Sequence, residues 1–157
     1  MASILFVEDH LGLIEELVQL LLRRRGAEEL ALRFTRDIAS AMNRLKEEKF
    51  DVIVLDVMLP SFPGVPAHEE GIYLASWLLG YTKRLPPSLQ KCEAPDWIPK
   101  CSLVFLTSRT ARPVQDALER LTQGKVKVPV IERLPENVDD QATEILKLLG
   151  AASVGRI

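Results

Sequence analysis

The sequence predicts an α/β protein: a doubly wound parallel sheet built from a (βα)5 succession, with helices on both faces. Three observations predict it. Strand-like and helix-like segments alternate along the whole chain of 157 residues. The run Asp51-Val52-Ile53-Val54-Leu55-Asp56 sets four consecutive aliphatic residues between carboxylates, the composition of a strand buried on both faces of a parallel sheet. A second apolar run, Ile4-Leu5-Phe6-Val7, also ends in acidic residues, Glu8 and Asp9. A carboxylate at the end of a buried strand is costly to desolvate unless a cation or donors meet it. Two such strands point to a metal-dependent site at the top of the sheet.

The elements follow in order. After the first strand, Ile14, Leu17, Val18, Leu21 and Leu22 recur at helical spacing. That segment closes on Arg23-Arg24-Arg25-Gly26, cations suited to a helix C-terminus and a glycine able to take a left-handed cap. Leu30 to Phe34 reads as the second strand, and Asp37 to Glu48 as a helix with Ile38, Ala41, Met42 and Leu45 facing inward. The third strand ends at Asp56, and the third helix is expected over His68 to Leu79. Leu103 to Leu106 forms the fourth strand, and the fourth helix starts near Pro113, a residue tolerated in a first turn. Val128 to Arg133 is the expected fifth strand. The last helix places Val138, Ala142, Ile145, Leu146 and Leu149 on one face, with Asp139 and Asp140 near its N-terminus, where the dipole favours them.

The natural closure is a flavodoxin-like three-layer sandwich with strand order 2-1-3-4-5. In that order Glu8, Asp9, Asp56 and Thr107 meet at the carboxyl ends of adjacent strands, the topological switch point where such sheets bind ligands. Residues 1–150 are expected to form a single domain, followed by a tail at 151–157. Two stretches exceed a minimal unit. A proline-punctuated loop lies near 61–69, and a long connection over 80–100 carries Pro86, Pro87, Pro95 and Pro99. Trp97 in that connection either docks a partner or pins the segment onto the body, and pinning is the preferred reading.

Composition narrows the function. A net charge of -2 argues against nucleic acid as the main partner. No apolar run is long enough to span a bilayer, and Met1-Ala2-Ser3 enters the first strand with no signal-peptide core before it. The two cysteines, Cys92 and Cys101, show no metal-ligand spacing. A reducing cytoplasm is the expected home, where a Cys92–Cys101 disulfide is not expected.

Three motifs at strand ends carry a resemblance: Ile4-Leu5-Phe6-Val7-Glu8-Asp9, then Asp51 to Asp56 with Val57-Met58-Leu59-Pro60, then Leu103-Val104-Phe105-Leu106-Thr107-Ser108. Together they resemble the receiver domain of two-component response regulators, of the chemotaxis-receiver kind. Glu70-Gly71-Ile72-Tyr73-Leu74 is similar to the start of that family's third helix, displaced by the proline loop. The resemblance implies that Asp56 is the phosphoacceptor and that Thr107 is the switch hydroxyl. It also implies magnesium bound by Asp9, Asp56 and the Met58 backbone carbonyl, with Glu8 acting through water. The chemistry suits the spacing, since phosphoryl transfer needs mainly positioning and charge neutralisation and magnesium takes oxygen ligands while keeping several waters.

The chain departs from the pattern at its fifth strand. The family has a Lys-Pro pair there, whereas this chain reads Val130-Ile131-Glu132-Arg133-Leu134-Pro135. In strict register with the proline, Leu134 occupies the lysine's place. Arg133 serves instead if the turn holds one additional residue, and its guanidinium suits a phosphate; otherwise it is a solvated strand-end cation. Val130 and Ile131 stand where many receivers carry an aromatic switch residue.

The leading expectation is a stand-alone phosphorylation-controlled switch and not an enzyme. It would be charged by a sensor histidine kinase or phosphotransfer protein and would act on an unidentified downstream protein. The chain ends seven residues after Gly150, so either the signal leaves through that partner or the chain belongs to something longer. A homodimer through the fourth helix, fifth strand and fifth helix is a further expectation. The alternative is a degenerate pseudo-receiver, a constitutive protein interaction module that needs no phosphorylation.

Overall fold

Alternation of side chains along each strand divides the core into two layers. On β1 (Ala2–Val7), Leu5 and Val7 enter one cluster while Ile4 and Phe6 enter the other. β3 (Val52–Leu55) divides in the same way, Ile53 and Leu55 against Val52 and Val54. Both faces are buried, which explains why β3 reads as an uninterrupted apolar run. The computed structural model describes residues 1–98 and 101–154, with residues 151–154 described by backbone alone. Pro99 and Lys100 of the expected insertion and the end of the expected tail lie outside that range.

The sheet has five parallel strands in the order β2-β1-β3-β4-β5, with β2 at Leu30–Thr35, β4 at Ser102–Thr107 and β5 at Val130–Glu132. This is the flavodoxin-like order expected from the sequence. Val7 pairs with Leu55, and Leu55 pairs with Phe105. The residues just beyond these ends, Glu8, Asp56 and Thr107, are thereby brought to one edge.

Helices cover both faces. On one side α1 (Glu15–Arg25) and α6 (Val138–Val154) pack through Leu17, Leu21, Ala142, Ile145 and Leu149. A single 3-10 turn, Leu11–Ile14, precedes α1. The other side carries α2 (Ile38–Glu47), α3 (Glu70–Leu78) and α5 (Ala111–Thr122). The Gly26 cap is the one the sequence suggests, and Asp37, read as the start of the second helix, proves to be its N-cap. Gly26 closes α1 at φ 96° and donates to the Leu22 carbonyl at 2.8 Å, a conformation that penalises any side chain. Asp37 caps α2 by accepting from the Ser40 amide at 2.7 Å.

Two boundaries and one added element depart from the sequence reading in ways that bear on the site. α3 begins at Glu70 rather than His68, because the His68 backbone is committed to a bridge with Leu59. β5 begins at Val130 rather than Val128; Pro129 has no amide to donate, although its carbonyl accepts from Phe105 at 2.9 Å. The connection after α3 also contains a short helix, α4 (Pro87–Gln90), started by its proline. The expected fourth and fifth helices are therefore α5 and α6.

Residues 80–98 pack on the body. Leu85, Leu89 and Ile98 are buried in the core layer beneath α2 and α3. Trp97 donates its indole N–H to the Leu45 carbonyl at 3.3 Å and lies 6.3 Å from the Phe50 ring, which is the pinning arrangement. Trp77 donates to the Cys92 carbonyl at 2.7 Å. No helix among the described residues is long and apolar enough to cross a membrane.

Candidate functional site

β1 and β3 are adjacent and parallel, so Glu8 and Asp9 emerge beside Asp56. One oxygen from each of the three carboxylates lies within 4.8 Å of the others. Glu8 is 3% exposed and Asp56 is 7% exposed, so these two carboxylates are desolvated, unlike ordinary surface acids, with the half-buried Asp9 beside them. Asp56 Oδ1 accepts the Val57 amide at 2.7 Å, which orients the carboxylate.

Arg133 brings the countercharge. Its Nη1 donates to Glu8 Oε1 at 2.8 Å, with both side chains largely buried. Its backbone amide donates to the Thr107 carbonyl at 2.7 Å, extending the β4–β5 ladder by one step and aiming the guanidinium over the strand ends. Leu134, the residue in strict register with the proline, is instead 43% exposed. The turn thus holds the additional residue that brings Arg133 inward.

A single arginine does not balance this cluster. Glu8 Oε2 is buried and has no hydrogen-bond partner. Burial pushes the Glu8 carboxyl up to about 9, reinforced by the neighbouring Asp56 carboxylate and opposed by Arg133. Neighbouring carboxylates in a desolvated site cannot all ionise unless a cation joins them. The site therefore takes either a proton or a metal. Its donors are all oxygen, which matches magnesium and other hard divalent ions.

Thr107 is fully buried at the end of β4. Its Oγ1 accepts the Arg109 amide at 3.1 Å, which leaves its own proton available to donate. Met58, two residues beyond Asp56, has its sulfur capped by Arg109 Nη2 at 3.3 Å. His10 is a surface side chain, 3.5 Å from the Asp9 carboxylate.

Two residues gain importance from the structure. A Cβ on Gly71 would lie 1.9 Å from the Asp56 carbonyl oxygen, so only glycine lets α3 start directly against the acidic strand. The sequence signal was present as an acidic-Gly step. Arg109 carried a weaker signal, a cation two residues after a strand-end threonine, and sequence reasoning missed it.

No protein-family model matches the chain, and no curated protein matches it. Solved structures do match. The RcsB response regulator of Salmonella typhimurium, described for its conformational dynamism in DNA interaction, aligns at TM-score 0.59 and 15% identity. The alignment covers 98% of this chain, which spans 60% of that one. The response regulator TrrA of Thermotoga maritima, in complex with Mg(2+)-BeF, aligns at TM-score 0.58 and 18% identity, covering 94% of this chain and 99% of that one. The Mn(2+)-bound form of the response regulator Rcp1 aligns at TM-score 0.60 and 21% identity, covering 92% and 91% of the two chains. The chain has the receiver fold. Its acidic cluster sits at the carboxyl ends of adjacent strands, at the switch point of that fold.

Proposed function

We propose that the chain is a phosphorylation-controlled signalling receiver, with residues 1–150 as its working unit, in which Asp56 accepts a phosphoryl group from a sensor histidine kinase or phosphotransfer protein. The observation that carries this reading is the Glu8–Asp9–Asp56 cluster, short of positive charge even with Arg133 paired to Glu8. A site built this way stabilises a cation and then a phosphoryl group, whose transfer depends mainly on positioning and electrostatics.

Asp9, Asp56 and the Met58 backbone carbonyl would hold magnesium, with Glu8 joining through water. When bound, the metal neutralises charge on the phosphoryl oxygens. An Asp56 carboxylate oxygen attacks phosphorus as the donor's P–N bond breaks, leaving an acyl phosphate. The Thr107 hydroxyl donates its free proton to a phosphoryl oxygen. Arg133, tethered by one nitrogen to Glu8, turns its remaining donors toward the same group. The chain turns over no substrate of its own, so its product is a change of state read by a downstream protein. A cytoplasmic setting and a homodimer through α5, β5 and α6 belong to the same proposal. The structures of TrrA with Mg(2+)-BeF and of Mn(2+)-bound Rcp1 support it by analogy.

The reach of Arg133 into the cluster favours this switch over a constitutive interaction module. Incubation with magnesium and a small phosphodonor should add a base-labile phosphoryl mass to Asp56 and none to the Asp56→Asn variant. The switch reading fails if both proteins stay unmodified and beryllofluoride with magnesium leaves the amide spectrum unchanged.

A further inference from the structure

The Thr107 hydroxyl is connected beyond the acidic cluster. It accepts the Arg109 amide at 3.1 Å, and the Arg109 side chain crosses from the β4–α5 loop to the β3–α3 loop. There Nη2 reaches Met58 Sδ at 3.3 Å, and Nη1 lies 3.8 Å from the Glu69 carboxylate. Met58 and Glu69 stand at the two ends of one excursion. Leu59 and His68 exchange backbone hydrogen bonds at 2.8 and 3.2 Å, closing residues 60–67 into a loop that exposes Phe62 and Val65. The loop's other side rests on the α2 N-terminus, where the Ile38 and Ala39 amides donate to the Pro60 and Ser61 carbonyls. Meanwhile β5 carries the half-buried aliphatics Val130 and Ile131, with no aromatic ring there to turn with Thr107.

We propose that Arg109 is a positioning residue that reports the state of Asp56 to the 60–69 loop, making that loop, with Phe62 and Val65, a surface that changes on phosphorylation. This inference rests on the proposed phosphoryl acceptance at Asp56. When the Thr107 hydroxyl is drawn to a phosphoryl oxygen, the Arg109 amide that bonds to it is pulled along and residues 108–110 shift. The guanidinium contacts then give way, because a thioether is a weak acceptor and an exposed ion pair contributes little. A charge-assisted hydrogen bond formed in the buried site outweighs both. The two-state element is the β4–α5 loop, and the readout is release of the 60–69 excursion.

Hydrogen exchange on the full chain, with and without magnesium and beryllofluoride, tests this. In the wild type, beryllofluoride should speed exchange of the amides between Ser61 and Glu69 roughly two- to fivefold, the scale set by one exposed ion pair. Arg109→Ala should show the faster exchange before any addition and no further change after it, while the Asp56 and Thr107 amides still respond. Arg109→Lys, which keeps the charge near Glu69, should restore part of the wild-type difference. If the 61–69 amides stay unmoved in the wild type while Asp56 and Thr107 respond, the Arg109 relay is overturned and the phosphorylation reading stands. The relay is likewise overturned if beryllofluoride still loosens the loop in Arg109→Ala by the wild-type factor. No response anywhere overturns both.

Discussion

Arg133 and Glu8 meet at 2.8 Å although their strands, β5 and β1, are separated in the sheet by β4 and β3. The long arginine side chain spans the carboxyl ends of the two strands between them. It thereby reaches the acidic cluster that Glu8 forms with Asp9 and Asp56.

Arg133→Ala is expected to weaken the beryllofluoride response by at least about tenfold, the usual scale for losing a hydrogen bond to a charged group. Magnesium affinity should change by less than the beryllofluoride response, because an arginine is no metal ligand. The variant should also lose about 1–3 kcal/mol of stability in urea, since it strips the partner from a buried carboxylate. Equal loss of both binding functions, measured by paired titrations, would count against the assigned role.

The raised Glu8 carboxyl makes stability depend on pH. Its value in the fold is about 9 against 4.5 for the unperturbed group, so between these limits the folded chain binds more protons than the unfolded one. The contribution is fully present below about 4.5 and is lost as pH rises through about 9. Apo protein should thus become less stable over that window, with a slope of up to about 1.4 kcal/mol per pH unit. Glu8→Gln should flatten the slope. Magnesium competes with the same proton, so its affinity should rise with pH and its binding should release protons, measurable by calorimetry in buffers of different ionisation enthalpy. An unchanged slope in Glu8→Gln would refute the assignment.

Gly71→Ala places a Cβ where the Asp56 carbonyl oxygen already lies, 1.9 Å away. The obstacle is backbone, so α3 must shift. A loss of about 1–3 kcal/mol or more is expected, together with a weaker magnesium response as Asp56 moves. Denaturation paired with metal titration checks both, and wild-type behaviour on each would show that the contact is not needed.

Trp97→Ala removes the indole that holds residues 80–98 to the Leu45 carbonyl and the Phe50 ring. About 3 kcal/mol of stability should be lost, toward the lower end for a large aromatic because the ring is only part-buried. Limited proteolysis should then cut within 80–98 before the sheet unfolds. Cleavage at unchanged rates would mean that the buried Leu85, Leu89 and Ile98 hold the segment unaided.

The scaffold was legible because it rests on local patterns. Val52–Leu55 reads as a doubly buried strand from four residues alone, and Gly26 marks a helix end through its own backbone chemistry. The acidic cluster was legible for the same reason, since each carboxylate follows directly on an apolar run. Parallel closure then left little freedom in where Glu8, Asp9, Asp56 and Thr107 come together.

What the sequence by itself determined was therefore the succession of strands and helices and the acidic residues at the strand ends, whereas the order 2-1-3-4-5, expected from that pattern, is fixed only by the pairing in the sheet. Only the tertiary structure shows which residue of that turn pairs with Glu8. Arg133 and Leu134 are neighbours in sequence, and the choice between them depends on one added residue in a turn and on the reach of a side chain across two strands. The Arg109 contacts with Met58 and Glu69 were equally hidden, as was the docking of residues 80–98. These features join loops whose paths are set by packing rather than by periodicity, and a local pattern does not encode where two loops will meet.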